Sequence, residues 1–282
     1  MHPSTNHEWQ VYSPSSLVTA ETELTWQETL IDHYQSSLLT QPEALKYLTL
    51  GLGLNDTEVI DEFRLGFVDR TLAHRLPERE TLEGDMVRGY YQRLQLIKGV
   101  TGHEVYRGMI FVPIFDANGE LIASFGQRIA SYPLAVRGEN HYTVQPEIEG
   151  LFFNHQALGA SSYVILCETP FDVMSLHMAQ IKNAIALLDF KYFDKAHVNQ
   201  LLENGIEAVT IAFSRTPVGD RYFAHVRREL QQVGIKVNKL DMFTGESVNS
   251  IWAKSLRLNV VFNELQGHQQ EQQPPPCPPT YH

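Results

Sequence analysis

The chain has 282 residues, enough for a substantial core in one or two domains, and its 43% hydrophobic and 20% charged content suits an ordinary globular protein. No apolar run is long enough to span a bilayer, and the N-terminus lacks a basic stretch followed by an apolar one, so no membrane or secretory segment is expected and the expected location is the cytoplasm. A formal net charge of −11 argues against tight nonspecific binding to nucleic acid, although a local basic groove on an acidic chain stays open.

The two cysteines, Cys167 in an apolar run and Cys277 in a proline-rich tail, make no disulfide framework and suit a reducing compartment. The 12 histidines are scattered, with no HxxxH or HxxEH pair on an expected helix, so a zinc site is not expected. Residues 1–24 are polar and read as a loosely ordered lead-in. Apolar residues at Trp26, Leu30, Tyr34, Leu38 and Leu39 have helical spacing. Pro42 opens a second helix through Leu50, because proline is tolerated in a first turn. Asn55 or Asp56 caps a third, over 57–63, and a fourth helix covers roughly 85–94.

The character then changes. Residues 109–115, MIFVPIF, have a strand pattern, followed by the turn Asp116-Ala117-Asn118-Gly119 and a second strand over 120–128. Pro113 inside the first strand predicts an edge or a bulge there. From Tyr163 onward, expected strands at 163–167, a continuous apolar run, and at 183–188, 208–213 and 236–240 alternate with helical stretches at 171–180, 194–204 and 220–233. Gly205 and Gly234 stop the last two of these helices. Strands alternating with helices imply crossover units and a mostly parallel sheet flanked by helices. The expected fold is therefore α/β: a mixed α+β lobe over 25–158, a parallel-sheet lobe over 159–252, and a C-terminal segment 253–282 with a Gln/Pro-rich, disordered tail.

In such sheets functional groups sit at the carboxyl ends of the strands. Glu168 follows the first strand and Asp172 lies four residues on, which resembles the Toprim pattern E-G-x-x-D. The third strand, which in that family ends in D-x-D, here ends in Ser214-Arg215-Thr216, with Gly219 at the place of the family's glycine. The first half agrees independently. SLLTQPEALKYLTLGLGLNDTEVIDEFRLGF over 37–67, RGMIFVPIFDANGELIASFGQR over 107–128, and His141-Tyr142, Pro146-Glu147 and Leu151-Phe152 follow one another in the order and spacing of the bacterial DnaG-type primase catalytic core. The resemblance covers about residues 28–250, and it implies a primase core whose second half is a Toprim-like domain. The zinc-binding and helicase-binding domains that flank such a core are not expected in this chain.

What the resemblance implies for chemistry is set by the departures. Joining nucleotides needs Mg2+ or Mn2+, which prefer carboxylate and water oxygens. A D-x-D at a strand end aims two carboxylates at one ion, whereas the hydroxyls of Ser214 and Thr216 are neutral, weak ligands. Arg215 between them adds a positive charge where a cation should bind, or is an ordinary loop residue, or takes over phosphate binding. Gly245-Glu246-Ser247-Val248-Asn249 stands where the family reads K-D-P-D-D. Glu168 and Asp172 are thus read as vestigial catalytic acids, each with a plainer reading as a helix-capping or first-turn acid. Asp189, after the second strand, is a third candidate metal ligand beside them.

Arg107, Arg128, His141, Tyr142 and Arg215 are the candidate nucleic-acid contacts. The two strand arginines equally suit an edge that discourages aggregation, and Tyr142 equally suits a core. The leading expectation is a primase-like protein without metal-dependent primer synthesis and with no cofactor. It would serve as a nucleic-acid-binding or regulatory component of a DNA-processing or mobile-element system, with single-stranded DNA or RNA and a protein as partners. An active Toprim primase or nuclease with a rearranged metal site is one alternative, and a protein-interaction module is another.

Overall fold

The structure, a computed structural model, describes residues 18–129, 142–188 and 193–254. His141, Asp189, residues 1–17 of the lead-in and the Gln/Pro-rich tail lie outside the described residues. None of the described helices is long and apolar enough to cross a membrane.

The first helix, α1 (Ala20–Thr40), starts earlier than its apolar spacing suggested. The cause is local: Thr19 caps it, accepting a hydrogen bond from the Thr22 N–H at 3.2 Å. Residues 20–24 are therefore helical and not a loose lead-in. Leu30, Ile31, Tyr34 and Leu38 form its buried stripe. Pro42 does open α2 (Pro42–Lys46), but the helix then widens into a π turn, Tyr47–Gly51. Asp56 is the cap of α3 (Thr57–Glu62), taking the Glu58 N–H at 2.9 Å. α4 (Leu82–Arg93) begins three residues before the expected start, because Thr81 caps it through the Gly84 N–H.

An antiparallel sheet follows in the order β1 (Gly66–Phe67), β2 (Met109–Phe115), β3 (Leu121–Arg128), β4 (Tyr142–Gln145). β1 and β4 were not anticipated; two and four residues give too little periodicity to register. Pro113 falls beyond the reach of β1, which pairs only Ile110 and Phe111, and the register shifts at the next residues, Ile114 and Phe115. Both the edge and the irregularity that proline called for are present. Gln27 of α1 grips the hairpin turn with its amide, donating to the Gly119 carbonyl at 2.9 Å and accepting from the Leu121 N–H at 2.6 Å.

The second sheet is parallel throughout its described strands, in the order β6 (Ala184–Ala186), β5 (Tyr163–Cys167), β7 (Ala208–Ala212), β8 (Lys236–Lys239). Its crossovers are α5 (Pro170–Met178), α6 (Lys195–Glu203) and α7 (Pro217–Gln232). Gly205 and Gly234 both adopt positive φ where α6 and α7 end. A last helix, α8 (Val248–Lys254), was not expected and crosses into the segment read as C-terminal tail. The two sheets share one hydrophobic cluster that runs from Leu38 and Phe67 through Ile110 and Phe125 to Phe171, Met174 and Ile251. Phe125 of β3 meets Phe171 of α5 edge to face, at 5.8 Å between ring centres.

Gly126 shows how tightly the hairpin is packed. A methyl group there would lie 2.1 Å from the Tyr106 ring, and that ring is pinned by its hydroxyl, which donates to the Ser124 carbonyl at 2.8 Å. Gly89, inside α4, has no neighbour within 4 Å of the same position. Gly126→Ala is therefore expected to destabilise the protein by roughly 1–3 kcal/mol, and Gly89→Ala to stabilise it by about 0.5–1 kcal/mol. Urea unfolding of the two variants checks both signs.

Candidate functional site

The strand order places a topological switch between β5 and β7, since the chain leaves β5 to one side for β6 and returns on the other for β7. Side chains just past the carboxyl ends of those strands face the crevice that such a switch opens. β5 and β7 run in register to their last residues, Cys167 opposite Ala212, so Glu168 and the 213–216 turn emerge side by side.

There the two chain segments close on each other. Glu168 Oε1 accepts from the Ser214 N–H at 2.5 Å and from the Ser214 hydroxyl at 2.7 Å. Glu168 is mostly buried, and burial is the main reason its pKa is pushed up to about 7, with the nearby Asp172 charge adding and the Ser214 hydrogen bonds opposing. Gly219 lets this turn fold so tightly: a methyl group on it would stand 2.0 Å from the Ser214 carbonyl oxygen. Thr216 is spent on a different task. Its hydroxyl accepts from the Gly219 N–H at 3.0 Å and so caps α7, with Pro217 in the first turn.

Asp172 is 1% exposed, which overturns the reading of it as a solvated first-turn acid. Its Oδ2 accepts from the Thr169 N–H at 3.0 Å and the Thr169 hydroxyl at 2.8 Å, forming a capping box at the start of α5. Its Oδ1 accepts from the Asn249 N–H at 2.8 Å. Burial raises its pKa; hydrogen bonds from Asn249, Thr169 and Ser247 oppose that. Asn249 in turn donates its side-chain amide to the Leu52 carbonyl at 2.8 Å and to the Ser175 hydroxyl at 3.0 Å. Trp252, one turn on, donates to the Gly53 carbonyl at 2.9 Å. α8 thus ties the second sheet's α5 to the 52–53 turn of the first half. Asn249 and Trp252 escaped the sequence reading. The one signal was Ser247 and Ser250, three apart, which trade hydrogen bonds at the start of α8.

The remaining candidates separate into two places. Arg215 turns away to the side, its guanidinium 3.3 Å from Asp241 and from the Met242 carbonyl, with about half of the side chain exposed. Arg128 pairs with Met109 across β2 and β3, and Tyr142 pairs with Gln127, so Arg107, Arg128 and Tyr142 gather at one end of the first sheet. Tyr142 also stacks on Phe125, at 5.8 Å and 12°.

A divalent cation needs open carboxylate oxygens. Both oxygens of Asp172 and one of Glu168 are engaged by the chain's own donors, and the hydroxyls at 214 and 216 are engaged as well. Among the described residues no three His, Cys, Asp or Glu side chains gather as a metal set would. The described donors therefore do not fit such an ion.

Comparisons with known proteins bear on the fold. Residues 162–241 match the family model described as the Toprim domain. Among the curated proteins none matches. The zinc-binding and RNA polymerase domains of the Aquifex aeolicus primase superpose with a TM-score of 0.70 at 20% identity, over 89% of this chain and 62% of that one. A DNA primase domain from Pseudomonas aeruginosa gives 0.70 at 19% identity, over 89% and 82%. A DnaG primase catalytic domain bound to single-stranded DNA gives 0.66 at 18%, over 89% and 78%. The chain spans less than two thirds of the Aquifex structure. It has the fold of a DnaG-type primase catalytic core, with a Toprim domain in its second half.

The site makes a pH prediction. A folded-state pKa of about 7 against an ordinary 4.5 means that the folded chain holds the Glu168 proton more tightly than the unfolded one. The resulting stability is complete below about pH 4.5 and lost as pH rises through about 7, on the order of 3 kcal/mol in all. Glu168→Gln keeps the acceptor for Ser214 and cannot ionise. Urea unfolding is expected to show the variant equal to wild type at pH 5 and more stable at pH 8. Glu104, another buried acid with a pKa pushed up to about 7, keeps its own pH dependence in both proteins.

Proposed function

We propose that this chain is a primase-type core that no longer carries out metal-dependent primer synthesis and serves a DNA replication or processing system, or a mobile element, as a nucleic-acid-binding or regulatory component. One observation carries the reading: the position where a Toprim enzyme presents an aspartate to the metal holds Ser214, and Ser214 spends both its N–H and its hydroxyl on Glu168. An acid held that way has one oxygen taken by the protein's own donors, while burial still favours its protonated form. Asp172, spent on Thr169 and Asn249, supports the same reading.

Nucleic-acid contact is supported by Arg107 and Arg128 at one end of the first sheet, with Tyr142 at the same end on the opposite face from Arg128, and by the neighbouring fold solved with single-stranded DNA. Arginines reach phosphates, and a half-buried tyrosine offers a face for a base. His141 belongs to the same proposal on sequence order alone. Arg215, tied to Asp241, is not needed in it. A protein partner completes the proposal, in a division of labour where the first lobe, about 25–158, holds nucleic acid and the second, about 159–252, gives the fold its centre.

The test restores what is missing. In the double variant Ser214→Asp, Thr216→Asp, three carboxylates crowd the crevice with no counter-charge, so its Tm is expected to fall by several degrees and to recover in millimolar Mn2+. Aspartate also caps helices well, so α7 keeps its start. Wild type is expected to show no Tm response and no calorimetric heat with Mg2+ or Mn2+, and no primers on single-stranded DNA. Metal binding by wild type that Glu168→Gln abolishes, together with primer synthesis, would falsify the proposal. A second measurement addresses the nucleic acid: fluorescence anisotropy with a single-stranded oligonucleotide at low salt should show Arg107→Ala, Arg128→Ala binding about tenfold more weakly than wild type.

A further inference from the structure

β8 ends the second sheet, and among the described residues no strand pairs with its outer side. The Lys236 and Leu240 N–H groups point inward to β7, at 2.8 and 3.0 Å from the Glu207 and Ile211 carbonyls. Alternation along a strand then turns the N–H and C=O groups of Val237 and Lys239 outward, to the open side. Both residues are at least partly exposed. An edge of this kind is a ready template for another extended chain.

A helix runs beside that edge. α7 lies antiparallel to β8, since Asp220 in its first turn meets Lys239 at 2.8 Å and the chain turns at Gly234 from its last residues into Lys236. The Lys239 ammonium sits 4.7 Å over the Phe223 ring. Phe223, Arg227, Arg228 and Gln231 then line a shallow depression of about 540 Å³ along the outer face of α7. The depression is lined by α7 alone, and the open edge of β8 lies beside that helix; an extended peptide on the edge would draw affinity from backbone pairing and choice from the helix side chains.

Charge says what would lie on that edge. Residues 217–239 carry five Lys or Arg and two Asp or Glu, in a chain whose formal net charge is −11. Lys236 and Lys239 flank the open edge from its two faces. Two copies of this chain paired edge to edge would bring those lysines together, so the occupant is not a second copy. Nucleic acid would use the positive charge and leave the outward N–H groups unpaired, whereas an acidic peptide uses both.

We propose that the β8 edge and α7 form a docking surface for an extended, acidic peptide segment of a partner protein, which adds to the parallel sheet as a further strand. The site lies on the far side of β7 from Glu168 and does not depend on the nucleic-acid reading.

The full chain is titrated by fluorescence anisotropy into a labelled peptide of alternating Glu and Val, and into the same peptide N-methylated at alternate residues. The plain peptide is expected to bind at least tenfold more tightly than the methylated one. Lys236→Glu, Arg227→Glu, both surface changes, should weaken it at least tenfold, and hydrogen exchange should slow at the Val237 and Lys239 amides on binding. Equal binding of the two peptides, or none, overturns the proposal. So does competition by single-stranded DNA with no amide protection, which assigns the basic patch to nucleic acid. Self-association in light scattering that Lys236→Glu strengthens assigns the edge to a second copy and overturns it as well.

Discussion

A carboxylate buried at the crossing of two parallel strands has to be answered by something, and the answer chosen for Glu168 organises this site. An uncompensated buried charge costs several kcal/mol. In an ion-binding site the compensation is a cation, which in turn demands further carboxylates nearby. The described donors to Glu168 belong to one serine, close enough for its backbone and its hydroxyl to reach the same oxygen, and they only oppose the effect of burial. That geometry needs the turn after β7 to fold back hard, and the turn can do so because Gly219 brings the start of α7 against the Ser214 carbonyl without a side chain in between. Serine, glycine and the Thr216 cap are therefore one device.

The second acid, Asp172, has a structural task. Asp172 holds the first turn of α5 through Thr169 and holds α8 through the Asn249 backbone. Asn249 then reaches the Leu52 carbonyl, and Trp252 the neighbouring Gly53. Because hydrogen bonds to a buried, charged acceptor are among the stronger ones in a protein, this chain of contacts fixes where the second sheet sits against the first half. The shared hydrophobic cluster, with Phe125 against Phe171 and Phe63 against Phe153, supplies the area behind it. Losing Asp172 would loosen the seam as well as the helix start.

The second half was the more legible in the sequence, for a physical reason. β5, β6 and β7 are buried throughout and mostly apolar, and each is followed along the chain by a cap, Thr169, Asp194 or Thr216, that announces the next helix. β1 and β4 carry no such signal, and α8 begins in a stretch whose interest lay in the acids it lacks. Of the site, Glu168, Asp172, Ser214 and Thr216 were all picked out by position. What position could not give was the direction of each hydrogen bond. Asp172 as a rivet, Arg215 as a side contact of Asp241, and Asn249 as the link to Leu52 all depend on which way a side chain points after packing.

The electrostatics also bear on the order in which such a site could lose its metal. Glu168 already feels the Asp172 charge, which raises its proton affinity beyond what burial alone does. Two further aspartates at 214 and 216, with no cation among them, would push it higher and strain the turn. Neutral residues at those positions relieve that repulsion whenever the ion is absent, so once metal no longer matters to function, stability alone favours their replacement. At Asp172 the hydrogen bonds from Thr169 and Asn249 oppose burial only in part, and its pKa stays raised. Glu168 escapes that repulsion by taking up a proton near neutral pH and by leaning on Ser214. Two acids, Glu168 and Asp172, beside two hydroxyl residues, Ser214 and Thr216, form an arrangement whose repulsion stays limited without an ion.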